Sequence, residues 1–176
     1  IRQQLSADYV LLCHRGLVHQ LPKFSNVRAI VENFRSKRVR AQGSDRSLNA
    51  FCAGLISHFD ALLGRCMLYP LERHQYLQIR ANPSAGSLKP VAPAFVPSEV
   101  YGCEHLCRQM LIVTEALQQD VSLWARCDAD VMSVFERHLD AFLEYLALRV
   151  YRDCDNTGTD PVILSSPLTD SSGNTS

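Results

Sequence analysis

Two groups of residues in this chain have types and spacing that could do chemistry. Cys103-Glu-His105-Leu-Cys107 carries the ligand types of a zinc site, with Cys127 or His138 available to complete it. On a helix Cys103 and Cys107 share a face, but His105 is rotated from Cys103 by about 200°, so the three cannot converge on one ion. The two thiols are read instead as small hydrophobic side chains at helix-core positions. His58, His74 and His138 each stand two residues from a carboxylate, Asp60, Glu72 and Asp140 respectively, and an imidazole beside a carboxylate is a common general base. Residues two apart on a helix do not face each other, so none of these is a ready-made acid–base pair. Neither a Gly-rich phosphate loop, a G-x-S-x-G turn nor H-E-x-x-H occurs in the sequence. These residues therefore give no catalytic motif, and neither a metal nor a cofactor is expected from them.

The elements that would position these residues are mostly helical. Tyr9-Val-Leu-Leu-Cys13 and Leu17-Val-His-Gln-Leu21 flank His14-Arg15-Gly16 and predict a small hairpin closed by Pro22. Asn26 is an N-cap for a first helix whose apolar residues Val27, Ile30, Val31 and Phe34 recur at helical spacing, with Gly43 after its end. A second helix starts near Ser47 and carries Leu48, Phe51, Cys52, Leu55, Phe59, Leu62 and Leu63 before Pro70, and Glu72 to Ala81 form further turns. Residues 83–98 hold four Pro with no period and read as a flexible linker. A third helix runs from about Glu99 to Leu117. A fourth, from about Asp128 to Arg152, has an apolar set too wide for a single-faced surface helix, and is expected to be central or to present one face to a partner. Beyond Asp153, residues 154–176 read as a tail with little independent structure.

Composition limits the class. The 176 residues carry 18 Lys+Arg, 18 Asp+Glu and 47% hydrophobic residues, enough for one domain with its own core. No apolar run approaches the roughly 18 residues of a membrane span. Seven Cys, mostly inside apolar runs, point to a reduced, intracellular setting. The chain opens on Ile1 without a signal-like segment, as expected of a domain from a longer protein. Charge divides unevenly, +7 in residues 1–88 and −7 in 89–176. That asymmetry predicts ion pairs between the halves, or else a basic patch at Arg35, Lys37, Arg38, Arg40 and Arg46 able to contact nucleic-acid phosphates.

Three stretches point to a family. Leu63-Gly64-Arg-Cys-Met-Leu68-Tyr69-Pro-Leu-Glu72-Arg73-His-Gln75-Tyr76 resembles the L-G-x-x-L-Y-x-x-E-R-x-Q-Y signature of MRG (mortality-factor-related) domains. Val100-Tyr101-Gly102-x-x-His105-Leu106-x-Arg108 resembles the V-Y-G-x-x-H-L-x-R motif of the same family, and Val18-x-x-Leu21-Pro22 with Asn26-Val27 is similar to its hairpin exit and first helix. The resemblance covers residues 1–153. Ile1 to Leu5 and Leu68-Tyr69-Pro70 are most similar to the male-specific lethal three branch, which tends to carry a low-complexity insertion where 83–98 stands; that segment is short here, as if trimmed.

The resemblance implies an all-α orthogonal helical bundle with a small N-terminal β-hairpin, no catalysis, and a shallow apolar surface that captures partner peptides. For this branch it implies a nuclear, chromatin-associated adaptor of the male-specific lethal histone acetyltransferase complex, bound to that complex's scaffold subunit and acting in dosage compensation, transcription regulation and histone H4 acetylation. A chromodomain is expected upstream. Carried over by position, the peptide-binding residues are Tyr9, Tyr69, His105, Arg108, Phe135 and Leu139. Tyr9 stands where the best-known branch has Trp, and Ile112 where it has Arg, so the peptide is expected to be read more by apolar packing than by charge.

Overall fold

The computed structural model describes residues 2–43, 45–81, 95–119, 127–156 and 162–163. In chain order the elements are α1 (Arg2–Tyr9), a π-helical turn (Val10–His14), β1 (Leu17–Val18), α2 (Val27–Gln42), α3 (Arg46–Leu62), a second π-helical turn (Leu63–Met67), α4 (Pro70–Ala81), α5 (Pro97–Val100), α6 (Cys103–Gln119), α7 (Ala129–Asn156) and β2 (Val162–Ile163). The fold is all-α, as expected. No described helix is long and apolar enough to cross a membrane.

Local chemistry sets most boundaries. Asn26 caps α2 by accepting the Ala29 N–H at 2.9 Å, and Gly43 ends that helix at φ 85°, where a residue with a Cβ would be strained. Asp45 caps α3 by accepting the Ser47 N–H at 2.8 Å. Pro70 begins α4, and Glu72 reaches back to accept the Tyr69 N–H at 2.9 Å, so that orphan donor at the helix start is satisfied. Asp60 plays the same part between elements, accepting the Ser98 N–H at 2.6 Å and its hydroxyl at 3.1 Å.

The core lies where α2, α3, α6 and α7 cross. Phe34, Phe59, Phe142, Leu106, Met110 and Leu146 are buried there, and Phe34 meets Phe142 edge to face at 5.0 Å. Burial of each such side chain is worth about 1.5–3 kcal/mol, which explains why helices of modest intrinsic propensity hold together. Lys23–Glu104 at 3.0 Å and Arg28–Glu99 at 3.1 Å pair the basic first half with the acidic second, as the charge asymmetry predicted.

Several boundaries differ from the sequence reading. Tyr9–Cys13 is not a strand: α1 runs to Tyr9 and continues as the π-helical turn, so there is no N-terminal hairpin. Leu17–Val18 pairs antiparallel with Val162–Ile163 instead, in the segment read as an unstructured tail. The reason is the partial burial of Leu5 and the burial of Asp8 and Leu12 on one helical face, with a carboxylate among the apolar residues that disguises the period. The third helix is two: α5 and α6, broken at Tyr101-Gly102. Residues 97–98 are helical and buried rather than linker, while 83–94 lie outside the described residues, as do 157–161 and 164–176. Helix α7 extends to Asn156.

Candidate functional site

Helix α6 carries the two regions that could hold a ligand, about one turn apart. The first is built on Arg108, only 7% exposed. Its Nε and Nη2 donate to Asp8 Oδ2 at 2.9 and 2.5 Å, Nη1 donates to Glu72 Oε2 at 2.6 Å and to the Met67 carbonyl at 2.8 Å, and Nη2 also donates to Glu72 Oε1 at 3.1 Å. All five guanidinium N–H groups are thereby used, and the Tyr69 ring covers the guanidinium face, its centroid 4.4 Å from Cζ. His105, 1% exposed, donates from Nε2 to Glu72 Oε1 at 2.9 Å, since an ionised carboxylate can only accept. His19 Nε2 donates to Asp8 Oδ1 at 2.7 Å.

Electrostatics follow from that geometry. Burial alone would raise Glu72, but hydrogen bonds and charge from His105 and Arg108 outweigh it and hold its carboxyl at about 2. His105 is lowered, because burial penalises the imidazolium more than Glu72 favours it. Glu104 is likewise held at about 2 against burial, by His19 and Lys23. The network is a closed set of paired charges that fixes α1, α4 and α6 to each other. Its exposed product is an aromatic pair: Tyr9, 47% exposed, stands edge to face against Tyr69 at 6.0 Å.

The second region is an apolar groove of about 560 Å³ between α3, α6 and α7. Phe51 and Phe135 meet edge to face at 5.6 Å along it, and Ile112, Val113 and Val134 continue its walls. Small residues make it concave: Ala50, Gly54 and Ala116 contribute no bulk where larger side chains would close the helices together, and a Cβ built on Gly54 meets nothing within 4 Å. Two imidazoles edge the groove. His58 Nδ1 accepts from Gln109 Nε2 at 3.1 Å, because that amide nitrogen can only donate, and burial lowers the affinity of His58 for a second proton. At His138, Ser47 Oγ donates to Asp45 Oδ2 at 2.7 Å, so the 2.8 Å contact between Ser47 Oγ and His138 Nε2 must have the imidazole as donor. His138 Nδ1 is then a bare acceptor, buried with no partner among the described residues.

These positions redistribute the six peptide-binding residues. Tyr9 and Tyr69 are together at the surface, and Phe135 lies in the groove. His105 and Arg108 are buried and both hydrogen-bond to Glu72, with Arg108 lying against the face of the Tyr69 ring. Leu139, 5% exposed, belongs to the core cluster and is not among the side chains that line the groove. Asp8 and Glu72 were missed as members of the site. Their signals were a carboxylate inside an apolar helical period and a Glu three residues after the residue preceding α4. The basic residues do not form one track: Arg35 is held by Glu32 at 2.7 Å and by Asn49 at 3.3 Å, Lys37 sits 5.0 Å over the Tyr145 ring, and Arg38 enters a separate cavity, while Arg40 and Arg46 have no partner among the described residues.

Comparison with known proteins bears on the whole chain. A family model described as MRG matches residues 1–152. Mortality factor 4-like protein 1 of Homo sapiens is 29% identical over 150 residues, 84% of this chain and 38% of that protein. Chromatin modification-related protein EAF3 of Saccharomyces cerevisiae is 27% identical over 169 residues, 93% of this chain and 40% of that protein, and EAF3 of Mycosarcoma maydis is 28% identical over 173 residues, 86% and 50%. The chain thus spans half or less of the length of these relatives. With a family match over nearly all of its helical core, the chain belongs to the MRG family.

Proposed function

We propose that this domain is a non-enzymatic chromatin adaptor that docks a short apolar segment of a scaffold protein in the groove between α3, α6 and α7, with the Tyr9–Tyr69 pair as a second contact. The observation that carries the reading is the groove itself. An open apolar concavity edged by aromatic side chains is the usual form of a peptide hot spot, where a buried anchor dominates affinity. The engagement of Glu72 by both His105 and Arg108 supports a role without catalysis, since that carboxylate is held in the fold from two sides.

The similarity to chromatin modification-related proteins supports a chromatin-associated setting, and with it a nuclear one; the family motifs support membership of an acetyltransferase complex. The motif likeness to the male-specific lethal three branch supports the scaffold subunit of the male-specific lethal complex as the partner, with dosage compensation and histone H4 acetylation as the process. Fluorescently labelled peptides tiled across that scaffold subunit test both the partner and the place. One segment is expected to bind at micromolar affinity or tighter, and Phe135→Ala is expected to weaken it by about 30-fold, the equivalent of about 2 kcal/mol. Binding that survives Phe135→Ala unchanged would move the site elsewhere.

A further inference from the structure

The apolar groove ends at His138, and the same imidazole is a wall of a second, polar cavity of about 340 Å³ on its other side. Arg38 from α2 and Arg137 from α7 line that cavity with Gln42 and Asp45. Asp45 is already engaged, accepting from the Ser47 backbone at 2.8 Å and the Ser47 hydroxyl at 2.7 Å. Neither arginine has an ion pair among the described residues, and Arg38 Nε is buried without a hydrogen-bond partner. Two guanidinium groups against one occupied carboxylate leave an excess positive charge in a confined space, beside an apolar trench and sharing a wall with it.

We infer that the peptide seated in the groove carries an anionic side chain, a carboxylate or a phosphorylated hydroxyl, next to its apolar anchor, and that Arg38 and Arg137 receive it across His138. This rests on the groove as the docking site. Guanidinium groups suit such a ligand, because their paired N–H donors match the oxygens of carboxylate and phosphate. A peptide fits better than a nucleic acid, because the neighbouring cations Arg35 and Lys37 are held by Glu32 and Tyr145 instead of extending a track of phosphate contacts.

Phenyl phosphate is a probe with both halves of the proposed ligand, a ring for the groove and a phosphate for the arginines, and it needs no knowledge of the partner. Titrated into the whole chain at millimolar concentration, it is expected to shift the Nε–Hε resonances of Arg38 and Arg137 together with the methyl resonances of Ile112 and Val134. Phenol is expected to shift only the methyl groups, and the Arg38→Gln/Arg137→Gln variant to lose the response to phosphate. No shift at either arginine overturns the proposal, as does duplex DNA or RNA that shifts both arginines equally well when Gly54→Leu has filled the groove. With a scaffold peptide in hand, the double variant is expected to lose about tenfold in affinity for the acidic or phosphorylated form and nothing for its neutral amide form. A peptide that binds through Phe135 yet shows no such difference sinks the anionic contact and spares the groove, whereas peptides that ignore Phe135 remove the groove reading itself.

Discussion

Asp8 Oδ2 accepts two hydrogen bonds from Arg108, although the two residues are 100 positions apart in the chain. This contact fastens the first helix to α6 inside the protein, where Glu72 and the Met67 carbonyl satisfy the rest of the guanidinium. The aromatic pair Tyr9 and Tyr69 is therefore placed by buried charge rather than by apolar packing alone.

Removing the guanidinium leaves two buried carboxylates facing each other. Arg108→Ala is expected to destabilise the domain by about 3–5 kcal/mol, while Asp8→Asn, which keeps an acceptor for the same donors, is expected to cost less. Urea unfolding of the two variants checks the order. Equal and small effects would show that the network is not structural.

The same groups make stability depend on pH with a definite sign. His105 and Glu72 both hold protons less readily when folded than their ordinary values of 6.5 and 4.5. Each contribution is complete above its ordinary value and disappears as pH falls toward the lower folded value, which for Glu72 is about 2. The urea midpoint is expected to decline from pH 7 downward, in a first stage from His105 together with the likewise lowered His58 and His138, and a second below pH 4.5 from Glu72 and Glu104, of which Glu72 contributes about 3 kcal/mol. His105→Gln is expected to make the first stage shallower. A profile level between pH 7 and pH 4 contradicts this.

Tyr101 is fully buried, and its hydroxyl has no partner among the described residues. Leaving a buried hydroxyl unpaired costs free energy, so Tyr101→Phe is expected to preserve stability or raise it by up to about 1 kcal/mol. Thermal unfolding measures this directly. A clear loss would reveal a hydrogen bond to that oxygen.

Helix α2, its N-cap Asn26, and the apolar faces of α3 and α7 were legible because each rests on local rules of spacing and capping. The hairpin was misread because Asp8 interrupts the apolar period of α1, and only the distant Arg108 explains a carboxylate there. Phe135 was legible as part of an oversized apolar face. Leu139, four residues on, was not separable from it, since which side of α7 meets the core is decided by tertiary packing and not by the apolar period. His105 and Arg108 stand in a motif whose residues can serve the fold or a ligand alike, and their common bond to Glu72 depends on α4 and α6 coming together, which no local pattern encodes.

Hydrogen exchange of the chain with and without its scaffold peptide tests the docking groove most directly, with Gly54→Leu as the control. A Cβ on Gly54 meets nothing, so a larger side chain there is expected to fill the groove while replacing a mid-helix glycine gains rather than loses helix stability, by up to about 1 kcal/mol. The peptide is expected to slow exchange in α3 and in 131–142 of α7, and this protection is expected to vanish in Gly54→Leu although the variant unfolds no earlier than the parent. Protection confined to other segments, or undiminished in a folded Gly54→Leu, would contradict the groove as the docking site.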